Sequence, residues 1–308
     1  MRGLGTAGAP SATDLVTRRL RGGAFDWRSA LLEGAMLLAL LLAFGVLFVL
    51  LVDIVQQALP VLTERPIDFL TSPVSSRPAR AGIVQGLGGS LLLMVFVALI
   101  ALPLGIGAAV YLEEYARDRR LTRFIRTNIR NLAGVPAIVY GLLGLAVFVS
   151  LLGMGRILIA GALTLAVLVL PIVVITASEA LRAVPDSIRE AALSVGATRW
   201  ETVRGHVLPY AAPGILTGTI LSLARAFGET APLLMVGAVA GTFSAHGGLF
   251  DQLFGRYTAL PTIVYNWAGQ PQEAFRALTA ATIVVLLALI LLVNLTAIIL
   301  RNRYDRNW

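Results

Sequence analysis

Residues 157–178 read ILIAGALTLAVLVLPIVVITAS, twenty-two positions without a charge. A helix rises 1.5 Å per residue and a bilayer's hydrocarbon core is about 30 Å thick, so about 20 such residues cross it with every backbone polar group paired inside the segment. Five more charge-free runs accompany it: 34–52, 81–112, 131–155, 207–224 (resuming at 230–245) and 277–300. Together they predict an all-α integral membrane protein with six transmembrane helices. The composition agrees, because 57% of the 308 residues are hydrophobic, 14% are charged and the mean hydropathy is +0.82, where soluble domains carry roughly 25% charged residues.

The first run follows a Gly/Ala-rich, Arg-bearing stretch at 1–29 and exceeds the 7–15 apolar residues of a signal-peptide core, so it reads as a retained anchor. Arg placement then orients the spans. The N-terminal tail, the 113–130 loop, the 179–206 loop and the C-terminus hold 18 Arg, against six in the alternate loops, which predicts cytoplasmic termini. Pro103, Gly105, Gly107, Pro136, Gly141, Gly144 and Pro171 interrupt the spans. Such residues serve close helix packing or mark broken helices along a path.

All 25 basic residues are Arg and none is Lys. A nucleotide-binding P-loop and Schiff-base chemistry both need Lys, so neither belongs to this chain. With no Cys, and with His206 and His246 in separate segments, a metal centre has no ligand pattern either.

The 179–206 loop carries explicit helix signals. Ser187 and Glu190 follow Pro185 as an S-x-x-E capping box, and Ile188, Ala191, Ala192 and Val195 fall at helical spacing. Gly196 reads as the residue just past the helix end, and Thr198 with Glu201 opens a second helix before Pro209 begins the fifth span. The small face at Ala191 and Ala192 suits either a membrane surface or, better, the close approach of a partner protein.

Inside the fifth span, Arg225 and Glu229 stand four residues apart, on one helical face. Arg225 lies about 24 Å along the helix from Pro209, at a depth where a bare cation is costly. Its planar guanidinium suits a tetrahedral oxyanion, with Glu229 holding it when no anion is there; the alternative is a self-neutralising ion pair. Glu113 and Glu114 read as a solvated interfacial face, and Arg119, Arg120, Arg123, Arg126 and Arg130 as topology determinants near anionic lipid. Tyr265 and Trp267 suit an aromatic belt or a contact with an external partner.

The run Glu190-Ala191-Ala192, then Gly196, then Leu208-Pro209, resembles the EAA loop of ABC importer permeases, with His206 where that pattern has Ile. The segments 103–116, 225–232 and 260–268 resemble the phosphate importers of that family. The resemblance covers roughly 80–300 and implies a type I importer permease (MetI-like) fold, with a permease domain over 81–300 and its coupling loop at about 179–209. Residues 1–29 then form a cytoplasmic tail, 30–80 the first transmembrane helix and an external loop, and 301–308 a C-terminal tail.

It further implies a non-enzymatic subunit of the bacterial inner membrane that moves inorganic phosphate by alternating access. Arg225, Glu229 and Thr230 would line the path, and Ser187, Glu190, Ala191, Ala192, Gly196, Leu208 and Pro209 would meet the ATPase. The implied partners are a homologous permease, an ATPase homodimer holding ATP and Mg, a periplasmic or lipid-anchored phosphate-binding protein, and membrane lipid; no catalytic residue, metal, cofactor or nucleic acid is implied for this chain. A permease for sulfate, molybdate or phosphonate is the nearest alternative, since Arg225 alone does not distinguish tetrahedral anions. An intramembrane enzyme lacks a nucleophile–base pair in the spans, and a passive anion channel leaves the EAA loop without a purpose.

Overall fold

The computed structural model describes residues 27–238 and 249–304. Residues 1–26, His246, the 239–245 part of the fifth run and the positions after Tyr304 therefore lie outside the described residues. Every regular element described is helical. Among the described residues five helices are long and apolar enough to cross a bilayer, or six if a helix pair bent by 102° counts as one span.

The first helix, α1 (Trp27–Glu64), is 38 residues long, about 57 Å at 1.5 Å per residue, and so outlasts a hydrocarbon core. Its residues to Asp53 belong to a unit of their own, apolar and exposed on every side. A helix with no polar face is at rest only in lipid or against other apolar helices.

The second unit begins at Ile54. A short α2 (Pro66–Thr71) precedes α3 (Val84–Val110), which runs without a break through Pro103 and ends in a wider π-helical turn at Tyr111–Tyr115. Next come α4 (Arg120–Ala133) and α5 (Ala137–Gly144), the latter extended by π-helical residues Leu145–Leu151. α6 (Leu158–Arg182) is the central helix, with Val169, Val173, Ala177 and Leu181 fully or almost fully buried between α3 and the later helices. After the loop helices come α9 (Leu208–Gly228), α10 (Ala231–Val236), α11 (Leu249–Leu253), α12 (Leu260–Ala268) and α13 (Ala274–Tyr304).

Two span boundaries differ from expectation. The run 131–155 does not form one helix: Pro136, extended at ψ 137°, separates α4 from α5, and the Tyr140 hydroxyl donates to the Leu132 carbonyl across the bend. Residues 131–133 thus close an amphipathic helix, and the fifteen residues of α5 and its extension reach about 22 Å. The helix of the fifth run likewise stops at Gly228, and the described residues after it form the short α10, closed by Gly237 at φ +99°.

The span glycines mostly serve close packing. A Cβ on Gly105 would stand 2.6 Å from Val173 Cγ1, one on Gly141 2.7 Å from the Pro232 Cα, and one on Gly144 would overlap the Thr164 side chain. Gly107 faces open space instead. Pro171 leaves α6 continuous, so among the expected helix breakers only Pro136 interrupts a span. Overpacking of this kind costs about 1–3 kcal/mol, so Gly144→Leu should lower the unfolding midpoint of the purified protein while Gly107→Leu does not. Equal midpoints for the two variants would refute the close contact between α5 and α6.

Candidate functional site

The loop between α6 and α9 is built from two short helices, α7 (Asp186–Ser194) and α8 (Arg199–Thr202), followed by a π-helical turn at Val203–Val207. α7 starts two residues earlier than a cap at Ser187 would place it. Pro185, extended at ψ 138°, is the residue before the helix, so Ser187 already sits in the first turn and no side chain caps that end. The Ser187–Glu190 capping box is therefore absent; Asp186 brings negative charge to the helix N-terminus instead.

The other end forms as the spacing predicts. Gly196 takes φ +90°, its N–H donates to the Leu193 carbonyl and that of Ala197 to the Ala192 carbonyl, a Schellman closure that a side chain at position 196 would strain. Thr198 then caps α8: its Oγ1 accepts from the Glu201 N–H at 3.3 Å while Glu201 accepts from the Thr198 N–H at 2.8 Å.

The small pair of α7 is divided. Ala192 is buried against this chain, whereas Glu190 and Ala191 are exposed, and beside them Leu193, Val195 and Trp200 also face outward, Val195 at 86%. The outward surface around Glu190 thus carries the exposed apolar side chains of Leu193, Val195 and Trp200 among polar and charged neighbours, Asp186, Arg199 and Glu201 among them. Leu208 is partly buried, Pro209 occupies the first turn of α9 where an N–H is not needed, and His206 is exposed while Val207 fills the core beside it.

Glu113 and Glu114 do not form a solvated face. Each side chain is only 8% exposed, because the π-helical turn packs more residues per turn, narrows the angle between neighbours and aims both carboxylates inward. Arg182, ending α6, grips Glu113 with two hydrogen bonds of 2.9 Å, and Arg126 of α4 approaches the same carboxylate at 3.4 Å. Arg189, on α7, donates to Glu114 at 2.8 Å, to the Leu181 and Val184 carbonyls at 2.9 and 2.8 Å, and to Asp186 at 3.1 Å. The hydrogen bond to Glu114 holds the Arg189 guanidinium above its ordinary pKa; burial opposes it, and the charges of Glu114 and Asp186 add to it.

One arginine thereby ties together the end of α3, the end of α6 and the loop helix α7. A cavity of about 470 Å³ opens beside it, lined by Glu113, Glu114, Arg182, Asp186, Arg189 and Arg199 among others. Sequence reasoning missed this cluster, since its partners lie 69 and 75 residues apart. The one available signal was the adjacent pair of carboxylates ending a span, with four arginines in the 179–206 loop to pair with.

Arg225 and Glu229 are close, but not as neighbours on a helical face. α9 ends at Gly228, Glu229 leaves in an extended conformation, and the guanidinium Nε still reaches its Oε1 at 3.4 Å. Arg225 is 55% exposed and Glu229 20%, and among the described residues the remaining guanidinium N–H groups of Arg225 have no partner. Thr230 precedes α10 and makes no capping bond. A planar cation with two open donors, steadied by one carboxylate, can accept a bidentate oxyanion without first breaking a closed ion pair.

Tyr265 is exposed as an aromatic belt requires, whereas Trp267 is buried against Phe275, ring centroids 5.9 Å apart, and belongs to the core. No group of three or more metal-ligating side chains is found among the described residues.

Over residues 101–306 the sequence matches the family described as binding-protein-dependent transport system inner membrane component. The probable ABC transporter permease protein YqgI of Bacillus subtilis is 42% identical over 56% of this chain and 59% of its own length. The phosphate transport system permease protein PstA 1 of Mycobacterium tuberculosis (strain ATCC 25618 / H37Rv) is 36% identical over 71% of this chain and 70% of its own. The phosphate transport system permease protein PstA of Xylella fastidiosa (strain 9a5c) is 34% identical over 77% and 81%. The chain thus spans about three-fifths of the Bacillus relative's length and more of the other two.

Among solved structures, a bacterial ABC transporter involved in the import of the acidic polysaccharide alginate superposes with a TM-score of 0.61 at 16% identity, covering 91% of this chain and 98% of that one. An inward-facing MetNI methionine ABC transporter gives 0.53 at 23% identity over 73% and 95%. At such identities the likeness is one of fold.

Proposed function

This chain belongs to the family of binding-protein-dependent transport system inner membrane components, and from that premise we propose that it is the membrane-spanning subunit of an ATP-driven importer of inorganic phosphate. The observation that carries the substrate is the set of relatives named as phosphate permeases, which align with up to about four-fifths of the chain. The open donors of Arg225 supply a chemistry consistent with them. In this reading Arg225 receives the anion, Glu229 orients the guanidinium, and Thr230 offers a hydroxyl beside them. The contact is brief and weak, because a conduit that held its ion firmly would not release it.

The other half of the reading concerns energy. The chain has no Lys for a P-loop, so ATP and Mg are held by an ATPase homodimer that meets the outward face of the coupling loop at Ser187, Glu190, Ala191 and Gly196. Ala192, buried, and Leu208, partly buried, seat that loop on the span it moves, and Pro209 starts that span at its exposed edge. Both termini lie in the cytoplasm, a homologous permease completes the path, and a phosphate-binding protein delivers the ion from the other side.

Vesicles holding the assembled importer, with ATP inside and binding protein outside, test this. Uptake of radiolabelled phosphate that survives excess sulfate and molybdate is expected. Uptake abolished by either competitor would move the substrate to another oxyanion, and no uptake at all with ATP present would sink the importer reading.

A further inference from the structure

We propose that α4 is a membrane-surface helix whose basic side binds the headgroups of anionic phospholipids. At about 100° per residue its side chains fall into three sectors. Arg126 and Ile129 face this chain, the first reaching Glu113 and the Leu112 carbonyl, the second packing beside the buried residues around Leu181. Leu121, Ile125 and Leu132 cluster within about 40° of one another, with Phe124 at their edge. All four are exposed, Leu121 at 68% and Phe124 at 65%. Arg120, Arg123, Thr127 and Arg130 share the third sector, and all but Thr127 are charged.

The bend of 102° between α4 and α5 gives this pattern its meaning. If α5 crosses the bilayer, α4 lies nearly in its plane, where an apolar sector enters the acyl boundary and cations stand at headgroup depth. Exposed apolar residues resume past the bend at Ile138 and Val139 on α5, so the same lipid layer is met on both sides of it. The charge is also left over from internal pairing. Arg123 makes one exposed contact with Asp118 at 3.5 Å, whereas Arg119, Arg120 and Arg130 have no ion-pair partner among the described residues. Three unneutralised guanidiniums beside an apolar stripe match a surface of phosphodiester anions.

The absence of cysteine makes this testable with single labels in the full chain within its assembled complex. A fluorophore on Leu121→Cys should be quenched by lipids brominated on their acyl chains, and one on Thr127→Cys should not. In vesicles of phosphatidylcholine mixed with phosphatidylglycerol, the wild type should retain phosphatidylglycerol through mild detergent extraction. The triple variant Arg119→Gln, Arg120→Gln, Arg130→Gln should lose that retention by about fivefold for each Arg removed, and the difference should fade at high salt. An unquenched Leu121 label would overturn the proposal and mark that sector as a protein contact. So would equal lipid retention by wild type and triple variant. Phosphate uptake in phosphatidylcholine vesicles is a separate readout, so a failure here leaves the transport reading standing.

Discussion

Arg225→Gln should reduce ATP-driven phosphate uptake by about 10- to 100-fold while the complex still assembles, the loss expected when a hydrogen bond to a charged group, about 1.5–3 kcal/mol, is withdrawn. The reasoning starts from the end of α9. Arg225 is more than half exposed and only its Nε is engaged, by one carboxylate oxygen at 3.4 Å. Glutamine keeps a donor and most of the length but removes the positive charge and the fork geometry. Arg225→Lys is the informative companion, since it restores charge without the fork; partial recovery would separate attraction from bidentate recognition. Unchanged uptake in Arg225→Gln would make Arg225 a structural charge.

Arg189→Gln should leave ATP hydrolysis measurable and lower the phosphate moved per ATP at least about tenfold. Removing one partner of a largely buried ion pair costs about 3–5 kcal/mol when it strands the other charge, and Glu114, 8% exposed, would be stranded. Two carbonyls, those of Leu181 and Val184, lose their donor at the same time. Motion of α7 would then no longer be handed to the ends of α3 and α6. The exchange Glu114→Arg with Arg189→Glu should recover part of the coupling, but not all, because a carboxylate cannot serve the two carbonyls. A transport-to-hydrolysis ratio equal to wild type in Arg189→Gln would sink the mechanical role.

How far the chain could be read in advance follows from the range of each signal. The crossings follow from runs of apolar residues, and the Gly196 and Thr198–Glu201 ends of the loop helices are decided within a few positions, so both were legible. Ser187 misled because Pro185, two residues before it, set the start of α7 and left the serine inside the first turn. The π-helical turn at Tyr111–Tyr115 has no local spelling; it forms where α3 meets Arg182 and Arg189, and those meetings are tertiary. For the same reason Glu113 and Glu114 looked like surface charges. Arg225 and Glu229 were placed together, yet by a helix that stops at Gly228 and a turn that sequence spacing did not show.

The π-helical turn at Val203–Val207 lies directly ahead of α9, whose last turn carries Arg225. Such a turn holds one residue more than the α-helix would use for the same circuit. Chain length is therefore not equally constrained along this segment. A one-residue deletion within 203–207 can be absorbed by the turn closing into ordinary helix, leaving the bearing of Arg225 unchanged. The same deletion after Pro209 swings that guanidinium by about 100° around the axis. The join between loop and span is where the gene can lose a codon without turning the cation away from its post.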